Sequence, residues 1–173
     1  TNLLVGENGF GGLVLKPEPD FIERDGQVLR VGAGVTVAEL LNYSIANNLS
    51  GLEWAGGLPG TVGGAIRGNA GAFGGETKDP VLEVESFDVD AGRFLKRTNA
   101  ECYFTYRSSV FKEEKGKEII LTASFGLRGG NRKEIESAIN EKITYRRSRH
   151  PLEYPNIGSI FKNVALDTVA ADV

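Results

Sequence analysis

Gly51-Leu52-Glu53-Trp54-Ala55-Gly56-Gly57-Leu58-Pro59-Gly60-Thr61-Val62-Gly63-Gly64-Ala65, running on to Gly68-Asn69-Ala70-Gly71-Ala72-Phe73-Gly74-Gly75, decides how this chain is read. Ten of the 23 glycines fall in this one stretch, where they sacrifice chain entropy and side-chain packing. Bare backbone at that density serves tight turns with positive φ, or lets N–H groups approach an anionic ligand such as a diphosphate. A flexible linker is excluded by Leu52, Trp54, Leu58, Val62, Ile66 and Phe73, apolar residues that need burial. The stricter phosphate motifs are absent. No Gly-x-x-x-x-Gly-Lys-Ser/Thr occurs, and no helix-forming run follows Gly56–Gly64 as a dinucleotide fingerprint requires. The expectation is an irregular loop that holds a ligand.

Outside that loop the chain reads as short strands and two helices. Strands are expected at Leu3–Val5, Leu13–Leu15 and Val28–Val31, separated by Gly and Pro-Glu-Pro-Asp turn chemistry. Thr36 with Glu39 forms a capping box that opens a helix to about Asn47, with Val37, Leu40, Leu41 and Ile45 on one face. Val81–Val89 and a return strand from Phe94-Leu95 flank the turn Asp90-Ala91-Gly92. Another strand runs from Ile119 to Leu127. Asn131 with Glu134 opens a second helix to about Arg149, its apolar face Ile135, Ala138, Ile139 and Ile143. Lys142, Arg146, Arg147 and Arg149 lie where cations complement the negative end of a helix dipole. The class is α+β.

Composition narrows the function. The 173 residues are 40% hydrophobic and 25% charged, ordinary for a folded domain or two small lobes. A net charge of −3 argues against a nucleic-acid groove. One cysteine, Cys102, fits a reducing compartment. No apolar run approaches the length of a membrane span, and no signal peptide stands at the start, so a cytoplasmic protein is expected. His150 is the only histidine, so a serine hydrolase triad around Ser159 is not available.

Four segments in order resemble the UDP-N-acetylenolpyruvoylglucosamine reductase family. They are Thr1-Asn2-Leu3-Leu4-Val5, the stretch Gly57–Gly74, Glu101-Cys102-Tyr103-Phe104-Thr105-Tyr106-Arg107-Ser108-Ser109-Val110-Phe111, and Pro155-Asn156-Ile157-Gly158-Ser159-Ile160-Phe161-Lys162-Asn163. The resemblance implies the two-subdomain flavin fold of the vanillyl-alcohol-oxidase type. A flavin domain would cover residues 1–128, and 129–173 would begin a substrate lobe. Both ends resemble cuts, so the chain is expected to be the central part of a longer enzyme of the short form, without the tyrosine-bearing insertion. The implied cofactor is non-covalent FAD, contacted by Asn2, Leu58, Pro59, Gly60, Thr61, Gly63, Gly64, Asn69, Gly71 and Phe73. NADPH and a UDP-sugar enolpyruvate are the implied reactants, in peptidoglycan precursor synthesis that sustains cell shape and division, with no metal and a monomeric state.

The same resemblance assigns roles. Arg107 lies beside the substrate carboxylate and steadies an enolate-like intermediate, a task suited to a permanent cation. Ser159 is the general acid. Tyr106, Lys162 and Asn163 join Arg107 in binding substrate. The family's third catalytic group, a carboxylate, has no match after Asn163; Asp167 and Asp172 lie in an unmatched tail. Two alternatives stand beside this reading: a flavin-binding module without catalysis, and a flavin oxidase of the same superfamily, which would not need both Tyr106-Arg107 and Gly158-Ser159.

Overall fold

The computed structural model describes residues 3–113 and 117–149. Asn2, Ser159, Lys162 and Asn163 lie outside the described residues. In chain order the elements are β1 (Ile22–Asp25), β2 (Val28–Gly32), α1 (Val37–Ala46), β3 (Leu49–Ser50), a 3-10 turn at Glu53–Ala55, and α2 (Val62–Gly68). Then come β4 (Gly71–Ala72), β5 (Gly75–Glu76), β6 (Val81–Asp88), β7 (Arg93–Thr98), a 3-10 turn at Ala100–Cys102, α3 (Val110–Glu113), β8 (Glu118–Gly126), β9 (Arg128–Gly129) and α4 (Arg132–Arg149). The α+β class is as expected.

Five strands form one antiparallel sheet in the order β1-β2-β8-β6-β7. Period-two alternation drives Leu29 and Val31 of β2 to 0% exposure, facing helices rather than solvent. They join Val84, Ala123 and Phe125 of the sheet, Leu40 and Leu41 of α1, Val62 and Ile66 of α2, and Ile135 and Ile139 of α4 in one core. The boundary expected at 128/129 falls inside β9. β9 pairs with β3 across it, and α4 buries its isoleucines in the same core.

α1 forms as its sequence dictates. The Thr36 hydroxyl accepts from the Glu39 N–H at 3.1 Å, and the Glu39 carboxylate accepts from the Thr36 N–H at 2.8 Å. α4 is capped by Asn131, whose side-chain oxygen accepts from the Lys133 N–H at 2.9 Å.

Two expectations are corrected. Leu3–Val5 and Leu13–Leu15 are not strands; no described strand runs beside them, and Leu4 and Leu13 are 78% and 82% exposed. A β-type sequence without a neighbour has no ladder to join. Nor is the Gly-rich stretch irregular throughout: Val62–Gly68 is helical despite Gly63, Gly64 and Gly68. Thr61 caps it by accepting from the Gly64 N–H, and Val62 and Ile66, four residues apart, are 1% and 0% exposed. Burial of that stripe outweighs glycine's poor propensity, roughly 1 kcal/mol per residue.

The glycines of α2 are not equivalent. A Cβ on Gly63 would stand 3.0 Å from the Ala33 Cβ and 3.2 Å from the Ala33 carbonyl oxygen. On Gly64 it would meet nothing nearer than the Thr61 hydroxyl at 3.6 Å. Gly63→Val is expected to destabilise by about 1–3 kcal/mol through overpacking. Gly64→Ala should be neutral or stabilising by up to about 1 kcal/mol. Urea midpoints of the two variants check this; equal losses would contradict it.

Cys102 is 0% exposed, and burial pushes its thiol up to about 12. It is inert packing. We expect no labelling by a thiol reagent at pH 8 in native protein and full labelling in denaturant; rapid native labelling would contradict the burial.

Candidate functional site

The Gly-rich stretch bends around the start of α2. Gly60, at φ 107°, turns its carbonyl to accept from the Val37 N–H at 3.0 Å, and the Val62 N–H donates to the Val35 carbonyl at 2.9 Å. These bonds bridge Thr36 to Thr61 and set the starts of α1 and α2 side by side. Most backbone donors here are used internally. Leu58 N–H donates to Ala55, Gly63 to Ala33, Ala65 to Thr61 and Asn69 to Ile66. Among the described residues the N–H groups of Gly60 and Thr61 have no acceptor, while Pro59 has no N–H to offer. Gly60-Thr61 is thus one place where backbone donors remain for a ligand.

Asn69 ends α2 in the left-handed conformation, φ 41°, and is wholly buried. Its amide donates to the Thr105 carbonyl at 2.9 Å and to Glu76 Oε2 at 3.1 Å, and its oxygen accepts from the Lys78 N–H at 3.0 Å. With those partners the side chain clamps three segments together and has little left for a ligand. The clamped Thr105–Ser108 turn, closed by bonds of 3.0 and 3.1 Å, carries Tyr106 and Arg107. Arg107 is held at φ 56°, an uncommon conformation for a residue with a Cβ, and its carbonyl accepts from Lys112 Nζ at 2.8 Å. Its guanidinium stands over the Tyr106 ring, with Nη1 3.2 Å from where a Cβ of Gly71 would be.

Gly71 belongs to the β4–β5 hairpin. Its turn residues Phe73 and Gly74 both have positive φ, 50° and 77°, the geometry of a type I′ turn. That turn presents the Phe73 ring to α4, edge-on to Tyr145 with centroids 5.5 Å apart. The Arg146 guanidinium lies 5.3 Å over the same ring. Arg146 Nε donates to the Gly56 carbonyl at 3.0 Å. It lies in the last turn of α4, as expected, and also turns back into the glycine stretch. Burial, then the neighbouring charge of Arg107, lowers its proton affinity below the usual arginine range.

The structure thus gathers Leu58–Gly64, Asn69, Gly71, Phe73, Tyr106 and Arg107 around α2 and the hairpin. Sequence reasoning missed two neighbours. Trp54, in the 3-10 turn packed on α4 and the hairpin, has a buried indole N–H with no partner among the described residues. Arg146 was legible by spacing. It falls on the face of Ile135, Ile139 and Ile143, and a cation on a buried stripe is a signal in itself.

Residues 1–97 match the FAD binding domain family. That match covers more than half of the chain, which belongs to this family of flavin-binding domains. The nearer likeness is to UDP-N-acetylenolpyruvoylglucosamine reductases. The chain is 40% identical over 163 residues to that reductase of Fervidobacterium nodosum, covering 94% of this chain and 52% of the relative. It is 43% identical over 166 residues to that of Carboxydothermus hydrogenoformans, covering 94% and 54%. The crystal structure of the reductase (MurB) from Thermus caldophilus matches with TM-score 0.67 and 31% identity, over 78% of this chain and 48% of that one. The chain spans about half the length of the curated relatives it matches.

The residues present suit FAD. Unengaged N–H groups at Gly60 and Thr61 suit an anionic oxygen, and Gly68 leaves open space where a side chain would stand.

Proposed function

We propose that the protein containing this chain is an FAD-dependent reductase of UDP-N-acetylglucosamine enolpyruvate, forming UDP-N-acetylmuramate with NADPH in cytoplasmic peptidoglycan precursor synthesis. One observation carries it: the Tyr106-Arg107 turn is clamped by Asn69 onto the same glycine stretch that the flavin-binding family match contains. FAD, when bound, supplies the hydride chemistry that NADPH sustains. Non-covalent contacts to it are assigned to Asn2, Leu58, Pro59, Gly60, Thr61, Gly63, Gly64, Gly71 and Phe73, with Asn69 holding the frame.

The chain's own residues then bind substrate and manage charge. Arg107 pairs with the enolpyruvyl carboxylate and offsets negative charge that develops toward it as C2 becomes carbanionic. Ser159 delivers the proton to C2, and its hydroxyl needs hydrogen-bonded help because its free pKa is high. Lys162, Asn163 and Tyr106 hold the rest of the substrate. A lobe beginning near residue 129 completes the site, and the protein acts as a monomer.

An absorbance spectrum of the purified protein, followed by rapid mixing of its reduced form with the enolpyruvyl sugar, tests this reading. Flavin bands and substrate-dependent reoxidation are expected. A colourless protein that cannot be reconstituted with FAD would overturn it.

A further inference from the structure

Lys78 closes a ring of bonds beneath the Arg107 turn. Two partners of Asn69 fix which way its amide faces, since the Thr105 carbonyl can only accept and the Lys78 N–H can only donate. The second N–H of that amide then needs an acceptor, and Glu76 Oε2 provides one at 3.1 Å. Lys78 Nζ meets the same oxygen at 2.7 Å. One lysine therefore engages Asn69 through its backbone and Glu76 through its side chain.

Glu76 also neighbours Arg107. It pairs with Gly71 across the hairpin, and a Cβ on Gly71 would stand 2.9 Å from Glu76 Cγ and 3.2 Å from Arg107 Nη1. The two side chains converge on one bare glycine, and the separation of those atoms cannot exceed the two distances laid end to end. The Glu76 side chain is 19% exposed, so a charge there is incompletely screened. A carboxylate so placed is drawn to the guanidinium unless another cation holds it. Lys78 is that cation, and no ion pair among the described residues includes Arg107.

We infer that Lys78 is a positioning residue that acts through Glu76: it keeps the carboxylate on Asn69 and off Arg107, which leaves the Arg107 guanidinium open for an anionic substrate group. What Arg107 binds rests on the reductase reading above; the hold on Glu76 does not. Any side chain at position 78 leaves the backbone N–H that Asn69 accepts from, so substitution there isolates the ammonium.

The test uses the intact protein with Lys78→Met, Glu76→Gln and Arg107→Gln, alone and combined, in two arms. Urea unfolding is the first and needs neither flavin nor substrate. With Lys78 replaced, Glu76 and Arg107 should become coupled by about 3- to 10-fold in the unfolding equilibrium constant, with no such coupling while Lys78 is present. Reoxidation of the reduced flavoprotein is the second arm. Lys78→Met should raise the half-saturating concentration of the enolpyruvyl sugar about 3- to 10-fold, because Arg107 is competent only when Glu76 is away. The effect falls on that concentration and not on the rate at saturation. Adding Glu76→Gln, which keeps an oxygen for Asn69 but carries no charge, should bring it back toward wild type.

Lack of coupling in the Lys78→Met background overturns the inference. So does a half-saturating concentration that Lys78→Met leaves at the wild-type value. One that Glu76→Gln fails to restore makes Lys78 a strut of the hairpin only, and the inference falls as well. A wild type that is not reoxidised, with the coupling present, refutes the reductase reading and leaves the hold on Glu76 standing.

Discussion

Arg107→Lys is expected to slow substrate-dependent reoxidation of the reduced flavoprotein by about 10²- to 10³-fold, the effect of removing one preorganised donor at a developing oxyanion. Reduction by NADPH should hardly change. The reason is geometric. Asn69 fixes the Thr105–Ser108 turn at 2.9 Å, Lys112 fixes the Arg107 carbonyl, and the side chain leaves a backbone already held at φ 56°. The guanidinium therefore stands ready before substrate arrives. Lysine restores the charge but replaces a rigid fork by a flexible point donor. Rapid-mixing measurement of the two half-reactions separates the cases. Equal losses in both would place Arg107 in service of the cofactor or the fold, and an unchanged reoxidation rate would remove it from the chemistry.

Much of the frame that holds Arg107 was legible in the sequence, because its signals are local. The Thr36/Glu39 box needs only residues three apart, and both of its bonds form. The Asp90-Ala91-Gly92 turn needs only a glycine at positive φ, and Gly92 adopts 63°. The periodic faces of α1 and α4 also predict which residues are buried. What was hidden depends on neighbours distant in sequence. α2 contains three glycines that lower its propensity, and only Ala33, brought alongside by β2, explains why Gly63 is needed. Leu3–Val5 reads as a strand because its residues favour one, yet pairing decides strands and no described neighbour pairs with it. Arg146 shows the same rule at the site. Read within α4 alone it complements a dipole, and only the fold shows that the hairpin carrying Phe73 and the Gly56 carbonyl also hold it.

The second large effect concerns the strand pair beneath this frame. Glu118 of β8 has a side chain only 3% exposed, and it accepts from the Ser86 hydroxyl at 2.6 Å and from Arg97 Nε at 3.1 Å, with Arg97 Nη2 closer still. Burial pushes its carboxyl up, but the bonds from Arg97 and Ser86 outweigh burial and hold it below the usual carboxylate range. Glu118→Gln removes the carboxylate charge that faces the Arg97 guanidinium, itself 22% exposed. The expected loss of stability at pH 7 is about 3–5 kcal/mol, the usual cost of breaking a buried pair from one side. The sign of the pH dependence follows from the lowered pKa. Glu118 stabilises the fold at every pH above its unfolded value of 4.5, and that contribution fades as pH falls through the folded value. Urea unfolding of wild type and Glu118→Gln should thus differ most near neutrality and converge below pH 4.5. A gap that stays constant down to pH 3 would mean the variant fails through packing or lost hydrogen bonds, and that the carboxylate charge does not hold β6, β7 and β8 together.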